Sequence, residues 1–256
     1  MLSSHKQSTT WDHVADWYDE HLEGKEGTYQ RDLILPNMLR LVEPKRGHTI
    51  LDLACGQGFF SRAFAARGAT VIGADVSSAL IARAKEHTGE QVTFHVAPAH
   101  ALPFIADHAI DIVTIVLAIQ NIENMRAVFD ECARVLAPGG RLFLVLTHPA
   151  FRVPQRSSWE FDDKKRVQYR RVDGYMREAK VSIQMHPGDK PSETTVSFHR
   201  PLQVYSKTLG NAGFAITRLE EWVSERKSNP GPRAGAENHA RNEFPLFLMI
   251  EAQQVS

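Results

Sequence analysis

The sequence predicts an α/β fold, a Rossmann-like three-layer sandwich built on a mostly parallel seven-stranded sheet. Three observations predict it. Strand-like apolar runs alternate with helical patterns, one strand runs straight into a tight glycine turn, and the alternation resumes near the C-terminus. Residues 149–200 interrupt the pattern between the fifth and sixth strands. They are too long for an ordinary connection and rich in aromatic residues, so we expect a folded lid.

Each strand is predicted from a short apolar run and each helix from apolar residues at helical spacing. The strands are Thr49–Ala54, Thr70–Ala74, Val92–Val96, Ile110–Leu117, Arg141–Leu146, Phe214–Trp222 and Leu246–Ala252. The helices are Phe59–Arg67, Ser78–His87, Met125–Leu136 and Leu202–Asn211. Ser77 is a plausible N-cap, Gly139-Gly140 should stop the third helix, and a Gly- and Pro-rich loop should precede the last strand.

We expect a single domain with four parts. An N-terminal helical segment (1–45) precedes a cofactor-binding core (46–148), a lid insertion (149–200) and a C-terminal completion of the sheet (201–256).

Composition narrows the class of protein. Thirty basic residues balance thirty acidic ones, which disfavours nucleic acid or an anionic membrane as partner. Two cysteines and the absence of an apolar leader favour a soluble cytoplasmic protein.

The glycine turn in LDLACGQGFF, Leu51 to Phe60, suggests a bound nucleotide-like cofactor. A nicotinamide-type G-x-G-x-x-G pattern fails because Ser61 replaces its third glycine, and no Gly-Lys-Ser/Thr phosphate loop is present. S-adenosylmethionine has no phosphate and needs only close backbone approach. Asp75, about twenty residues on, could accept hydrogen bonds from two ribose hydroxyls, or could simply be an acid at a helix N-terminus.

Five ordered motifs resemble the class I S-adenosylmethionine-dependent methyltransferase family, in its small-molecule type. They are LDLACGQG, GADVS, VAPAHALPF, IDIVTIVLAIQNIEN and RVLAPGGRLFLV. The resemblance is strong over about residues 40–148 and extends more weakly to HRPLQVYSKTLGNAGF. It implies S-adenosyl-L-methionine as cofactor and methyl transfer as activity.

The resemblance also implies a role for each residue along the cofactor. The methionine end would lie along Asp52, Ala54, Gly56 and Gly58, and the ribose on Asp75. The adenine would lie against Val76, Ala99 and His100, and the sulfonium and substrate beside Leu117 and Gln120. Ala54 stands where relatives often have glycine. Pro98 stands where many have an aspartate that binds the adenine amino group, and proline supplies neither that acceptor nor an N–H.

Candidate residues on the substrate side come from the N-terminus and from the edges of the lid. Relatives often use an N-terminal helix with a tyrosine to close over the cofactor, and Tyr18 fits that place, although an aromatic stripe more often packs on the sheet. His148 ends the fifth strand and His199 precedes a helix, so either could be a general base, or could only hydrogen-bond nearby backbone. Arg200 could bind a substrate carboxylate or face water. An acceptor wall of Trp159 or Phe151 with both histidines is expected.

The predicted function is methyl transfer to a small molecule at O, N or C by in-line displacement. An RNA-modifying enzyme is the alternative, suggested by the basic run Lys164–Arg171, although a run of such mixed charge is usually a solvated face. A non-catalytic cofactor-binding or scaffold protein is a second alternative. No Cys/His cluster has metal-ligand spacing, so no metal is predicted.

Overall fold

The computed structural model describes residues 11–12, 15–24, 27–88, 92–184 and 194–255, apart from the side chains of Trp17 and His21. The helices are α1 (Ala15–Glu23), α2 (Leu35–Val42), α3 (Phe59–Ala65), α4 (Ser78–Glu86), α5 (Met125–Val135), α6 (Leu202–Asn211) and α7 (Ala234–Glu243). The strands are β1 (Thr49–Leu53), β2 (Thr70–Asp75), β3 (Val92–Val96), β4 (Ile110–Val116), β5 (Leu136–Thr147), β6 (Ser157–Asp162), β7 (Val167–Val172), β8 (Ala179–Gln184), β9 (Thr194–His199), β10 (Phe214–Trp222) and β11 (Phe247–Gln254).

A seven-stranded sheet confirms the predicted fold class. Its strand order is β10-β11-β5-β4-β1-β2-β3. β1 pairs in parallel with β2 and β4, with Leu51 opposite Ile72 on one side and Val113 on the other. β11 is antiparallel to both β5 and β10, so the sheet is mixed at this end. The predicted insertion does fall between the fifth and sixth strands of the sheet, β5 and β10.

The chain forms two compact units. Unit 1 comprises Met1–Thr114, Arg134–Gly140 and Gln184–Thr195, and unit 2 comprises Ile115–Ala133, Arg141–Ile183 and Val196–Ser256. In unit 1, α3 and α4 pack against β2 and β3. The buried centre of unit 2 includes β5 and β11, whose central residues are almost wholly apolar. Strands buried on both faces read as continuous hydrophobic runs, which is why they were predictable.

The insertion contains two two-stranded sheets that the sequence pattern did not predict. β6 pairs antiparallel with β7, and β8 pairs with β9. The turn between β6 and β7 forms because one Asp162 carboxylate oxygen accepts the N–H groups of Lys164 and Lys165. Residues 185–193 of the predicted lid lie outside the described residues.

Two other expectations about elements were wrong. The loop expected before the last strand contains helix α7, which packs against β7. Gly139-Gly140 does not end the third predicted helix, since α5 stops at Val135 and both glycines fall within β5. Gly139 has φ 78°, so it permits a local bend rather than ending the helix.

Gly58 is required by packing. Its φ is 79°, and a Cβ atom there would lie 2.7 Å from Cζ of Phe94. This glycine therefore lets β3 approach the start of α3.

None of the described helices is long and apolar enough to cross a membrane.

Candidate functional site

Asp75 organises the glycine turn in unit 1. It ends β2, and its Oδ2 accepts the Gly56 N–H at 2.9 Å while its Oδ1 accepts the Ser77 N–H at 2.9 Å. A carboxylate oxygen can accept two hydrogen bonds, so each oxygen keeps capacity for a ligand hydroxyl. Burial raises the pKa of the Asp75 carboxyl, and the backbone N–H bonds oppose that rise. Ser77 also caps α4 as predicted, because its side chain accepts from Leu80 N–H.

Tyr18 of α1 lies beside the turn. A Cβ atom on Gly56 would lie 3.5 Å from Cε1 of Tyr18, with no other described atom outside the neighbouring residues within 4 Å. Desolvation raises the pKa of Tyr18 to about 12, and the nearby Asp75 charge adds to this, whereas a hydrogen bond with Gln30 lowers it. Tyr18 is therefore a neutral phenol. It lies where the family resemblance predicts a residue that covers the cofactor. Ala54 holds φ 57°, a left-handed conformation in which glycine would be unstrained.

Asp52 is buried behind the turn. The Ser61 hydroxyl donates to its Oδ2 at 2.5 Å, and the Thr114 hydroxyl donates to its Oδ1 at 3.1 Å. Desolvation raises the pKa of Asp52 to about 6, although both hydroxyls lower it. Cys55, a free thiol in the same turn, has a pKa raised well above its ordinary value by burial and then by Asp52.

The adenine-side residues are more open. Val76 directly follows Asp75 and is 45% exposed, which is high for a branched apolar side chain. Ala99 is half-buried, and Pro98 and His100 are exposed. An apolar surface beside a buried carboxylate fits a flat heterocycle attached to a ribose.

Sequence reasoning missed an acidic stripe in α1 and in the chain before it. It consists of Asp12, Asp16, Asp19 and Glu23, which are spaced four, three and four residues apart. Asp12 Oδ1 accepts the Ser77 hydroxyl at 2.6 Å and the Ala79 N–H at 3.2 Å. The other three acids pair with Arg83, His87 and Arg62 respectively. The helical spacing of the acids was a usable signal, but their partners are distant in sequence.

Two predicted residues of the sulfonium side, Leu117 and Gln120, belong to unit 2. Leu117 has φ 54°, which is unusual for a bulky side chain and marks stored backbone strain. Its N–H donates to the Val145 carbonyl at 2.7 Å, and the Gln120 amide donates to the Leu117 carbonyl at 2.7 Å. The strained conformation is therefore held from both sides at the end of β4.

His148 is buried at the end of β5 with both ring nitrogens engaged. Nδ1 accepts the Ala150 N–H at 3.2 Å, so Nε2 carries the proton and donates to Glu221 at 2.7 Å. Burial lowers the pKa of His148, and Glu221 acts in the opposite direction. These contacts favour the interpretation that His148 stabilises the backbone at the end of β5 over the interpretation that it is a general base.

His199 and Arg200 are also buried and bound to backbone. His199 Nε2 donates to the Tyr175 carbonyl at 2.7 Å, which leaves Nδ1 as the nitrogen that can take up a proton. Arg200 donates to the carbonyls of Ile122 and Glu123 at 2.8 and 2.7 Å, so it clamps the turn after β4 and does not face water.

Aromatic rings expected for the acceptor wall do meet, in a group that we call the Trp159 cluster. Its members are His148, Phe151, Arg152, Trp159, Arg170 and Phe244. The Phe151 ring lies 4.8 Å from His148 and 5.5 Å from Phe244, and Trp159 lies 5.5 Å from Phe244. Phe244, at the end of α7, was not anticipated because that helix was not predicted. His199 packs against Tyr175, which is not a member of this cluster.

The basic run Lys164–Arg171 has much of its charge engaged within the protein. Arg171 pairs with Glu160 and Asp173, at 3.4 and 2.9 Å. Arg166 lies over the Phe161 ring, and Arg170 lies over Trp159. Three of the five basic side chains therefore contact other side chains of the protein, whereas Lys164 and Lys165 are exposed.

A group of possible metal ligands among the described residues is Asp19, Glu23 and His87, with ligand atoms within 4.8 Å of one another. Asp19 and His87 already bond to each other, and Glu23 bonds to Arg62. A guanidinium beside the group disfavours a cation there.

Comparison with known proteins places this geometry among methyltransferases. A family model described as "Methyltransferase domain" matches residues 51–144. A demethylmenaquinone methyltransferase of Clavibacter sepedonicus is 42% identical over 107 residues, 41% of this chain and 43% of that protein. A ubiquinone biosynthesis O-methyltransferase of Pseudomonas putida is 32% identical over 130 residues, 50% of this chain and 56% of that protein. The chain thus matches about half the length of these curated relatives.

A solved structure is similar over a much larger part of the chain. It is an S-adenosylmethionine-dependent methyltransferase from Mesorhizobium loti, with a TM-score of 0.68 and 26% identity. The match covers 86% of this chain and 96% of that one. It extends well beyond the cofactor-binding motifs.

Proposed function

Because the chain belongs to the class I S-adenosylmethionine-dependent methyltransferase family, we propose that it methylates a small organic acceptor by in-line displacement. The observation that carries the proposal is the position of Asp75, whose two oxygens are fixed by the Gly56 and Ser77 N–H groups. The acceptor atom would be O, N or C.

The residues present fit the cofactor. S-adenosylmethionine supplies an electrophilic methyl group on a sulfonium. Asp75 would accept the ribose hydroxyls with its remaining lone pairs, and Val76 would give the adenine an apolar surface. Gly56 presents open backbone beside Tyr18, where the amino-acid end would lie. The protein has no covalent step to perform, so its contribution is positioning and exclusion of water.

A small acceptor is supported by two observations. Arg171 of the basic run is paired with Glu160 and Asp173, which reduces the positive charge available for the RNA alternative. Two curated relatives are named for ubiquinone biosynthesis and for demethylmenaquinone, both small molecules. If the acceptor needs a general base, His199 is a better candidate than His148, because its Nδ1 is the nitrogen able to accept a proton.

The test follows the methyl group. The protein is incubated with S-adenosylmethionine labelled in its methyl group and with either a small-molecule extract or total RNA, and label is counted in each. We expect label in the small-molecule fraction, and much less label with an Asp75→Ala variant at a cofactor concentration that does not saturate it. Label in RNA would replace the proposal with the RNA alternative. Binding of S-adenosylhomocysteine without transfer to either pool would favour the non-catalytic alternative.

A further inference from the structure

The loop between β3 and β4, residues 97–109, carries two of the residues expected beside the adenine, Ala99 and His100. It begins next to the carboxylate proposed for the ribose, because the Ala97 N–H donates to the Asp75 carbonyl at 2.9 Å. Every residue of the loop is described, and none belongs to a helix or a strand. Regular secondary structure therefore does not fix its conformation, and other contacts must do so.

Arg134 holds this loop from outside. It lies in the last turn of α5 and belongs to unit 1, as the whole loop does. Its Nη1 donates to the Ile105 carbonyl at 2.9 Å, and its Nη2 donates to the Leu102 carbonyl at 3.1 Å. The His108 N–H donates to the Arg134 carbonyl at 3.0 Å. Arg134 thus contacts both the middle and the end of the loop.

The two carbonyl groups belong to the residues that anchor the loop in the core. Leu102 and Ile105 are both buried, and the Ile105 N–H donates to the Leu102 carbonyl at 3.0 Å, which closes a turn between them. A planar guanidinium presents its donors at fixed angles, so it holds the two carbonyls in one relative position. A lysine amine in its place would constrain them less.

A third bond of Arg134 contributes less. Its Nη1 pairs with Asp107 at 2.6 Å, but the Asp107 side chain is 67% exposed. Exposed ion pairs are screened by solvent and stabilise proteins little. The bonds to the two carbonyls therefore account for most of the effect of Arg134 on the loop.

The expected adenine residues lie between two fixed points of the loop. Ala97 is bonded to Asp75 at one side, and Leu102 is bonded to Arg134 at the other. Between them the Ala101 N–H donates to the Pro98 carbonyl at 3.0 Å, which forms a turn at residues 99–100. An open turn of this kind keeps its position only while both fixed points hold.

We propose that Arg134 is a positioning residue for the cofactor. It keeps the turn at Ala99 and His100 in a fixed position relative to Asp75, so that the adenine of a bound cofactor meets a preformed surface. Arg134 acts through the loop and not by contact with the cofactor. This inference rests on the proposed function, and it adds a residue on which recognition of the base depends.

The test compares two ligands that differ in the base. S-adenosylhomocysteine carries adenine, and S-ribosylhomocysteine carries a hydroxyl group in its place. Calorimetry on the full chain gives the affinity for the first ligand, and competition against it gives the affinity for the second. The ratio of the two affinities measures what the base contributes to binding.

Arg134→Gln should lower the affinity for S-adenosylhomocysteine about tenfold, because the surface for the adenine is no longer preformed. Its affinity for S-ribosylhomocysteine should change less than about twofold. Arg134→Lys should show the same selective loss at about threefold. Two controls should leave both affinities within about twofold. They are Asp107→Asn, and Arg126→Gln, which breaks the exposed pair with Asp130 on the same helix.

Hydrogen exchange of the protein without ligand provides a second readout. The amides of residues 97–109 should exchange faster in Arg134→Gln than in the unmodified chain, and those of β1 should exchange at the same rate in both. Faster exchange in β1 as well would mean that Arg134 only stabilises the fold, which would overturn the inference.

Two binding results would also overturn it. They are an equal loss of affinity for both ligands in Arg134→Gln, and an unchanged affinity for S-adenosylhomocysteine in that variant. If Arg134→Gln does not fold, Arg134→Lys decides, because the same selective loss is required of it. Failure of the proposed function is distinguishable, since the unmodified chain itself would then not bind S-adenosylhomocysteine, and both proposals would fall together.

Discussion

At the scale of single residues, Asp75 should control cofactor affinity. Replacing it with Ala removes a carboxylate that fixes the Gly56 N–H and would bind the ribose hydroxyls. We expect affinity for S-adenosylhomocysteine to fall about 10- to 100-fold, by loss of charge-assisted hydrogen bonds. Calorimetry measures this directly.

Asp75→Asn is the matched variant. It keeps the shape and one carbonyl oxygen, so its loss of affinity should be smaller than that of Asp75→Ala. Unchanged affinity in a folded Asp75→Ala protein would remove this residue from the cofactor site.

Asp52 should make the protein less stable as the pH rises. Its pKa is about 6 in the folded chain, against an ordinary value of 3.8, because burial disfavours the charged form. Between these values the folded state binds more protons than the unfolded state, so stability falls with rising pH. Asp52→Asn removes this cost, and it should raise the free energy of unfolding by about 1–3 kcal/mol at pH 8.

Thermal denaturation without cofactor, from pH 4 to 8, provides the measurement. The gap between Asp52→Asn and the unmodified protein should close as the pH falls towards 4. Asp130→Asn, on the exposed face of α5, serves as control and should show no such trend. A constant gap across the range would contradict the raised pKa.

Sequence analysis identified residues whose roles depend on their neighbours in the chain. Gly56 and Asp75 were identifiable because a strand, a turn and an acid at fixed spacing already limit the chemistry. The partner of His148 was not identifiable, since Glu221 lies 73 residues away and only the folded chain brings them together. The left-handed backbone conformation of Leu117 could not be predicted from the sequence, because leucine does not favour that conformation.

At the scale of elements, the acidic stripe of α1 should make cofactor binding sensitive to salt. Ion pairs of the stripe join α1 to α4, to His87 directly after α4 and to α3, and α1 carries Tyr18 beside the glycine turn. S-adenosylhomocysteine has no net charge near pH 7, so a salt effect on its affinity would come from the protein's own ion pairs. We expect affinity to fall about two- to fivefold between low and high salt.

The double variant Asp16→Asn, Glu23→Gln should bind more weakly at low salt and lose most of the salt dependence. Asp130→Asn breaks a comparable exposed pair with Arg126 on α5 and should leave the salt dependence intact. Identical salt curves for the double variant and the unmodified protein would show that the stripe does not act on the cofactor.

Secondary structure was predicted correctly for strands that are buried on both faces. It was not predicted for elements that bury little of their surface. The strands of the sheet read as apolar runs. In contrast, β7 alternates between exposed and half-buried positions and β6 is half-buried at five of its six positions, so the sequence predicted a folded lid but not these strands. Helix α7 follows Gly231 and Pro232 and buries little except Ala240, so its sequence resembles a loop.

At the scale of the whole molecule, the β6–β7 hairpin of the insertion should be separable from cofactor binding. The Asp173 N–H donates to the Arg156 carbonyl at 2.8 Å, so the two ends of the hairpin are already adjacent. Replacing residues 157–172 with a two-residue glycine linker should leave S-adenosylhomocysteine affinity within about twofold, since the proposed contacts of Asp75 lie in unit 1. Methyl transfer should fall by orders of magnitude, because acceptor positioning is lost.

A melting curve must show that the shortened protein folds. The control replaces only the hairpin tip, residues 163–166, and keeps Trp159 and Arg170, so it should retain most of the activity. Full activity in the shortened protein would show that the hairpin is not part of the acceptor site.

The rates at which the two free thiols are alkylated report local opening of the protein. Alkylating reagents attack the thiolate, and burial suppresses that form at Cys55 and at Cys132. Cys55 belongs to unit 1 and Cys132 to unit 2, so the two rates of carboxamidomethylation by iodoacetamide report separately on the two halves. A ligand that keeps the glycine turn closed would slow modification at Cys55 and leave Cys132 unaffected, and mass spectrometry could read both without any attached dye.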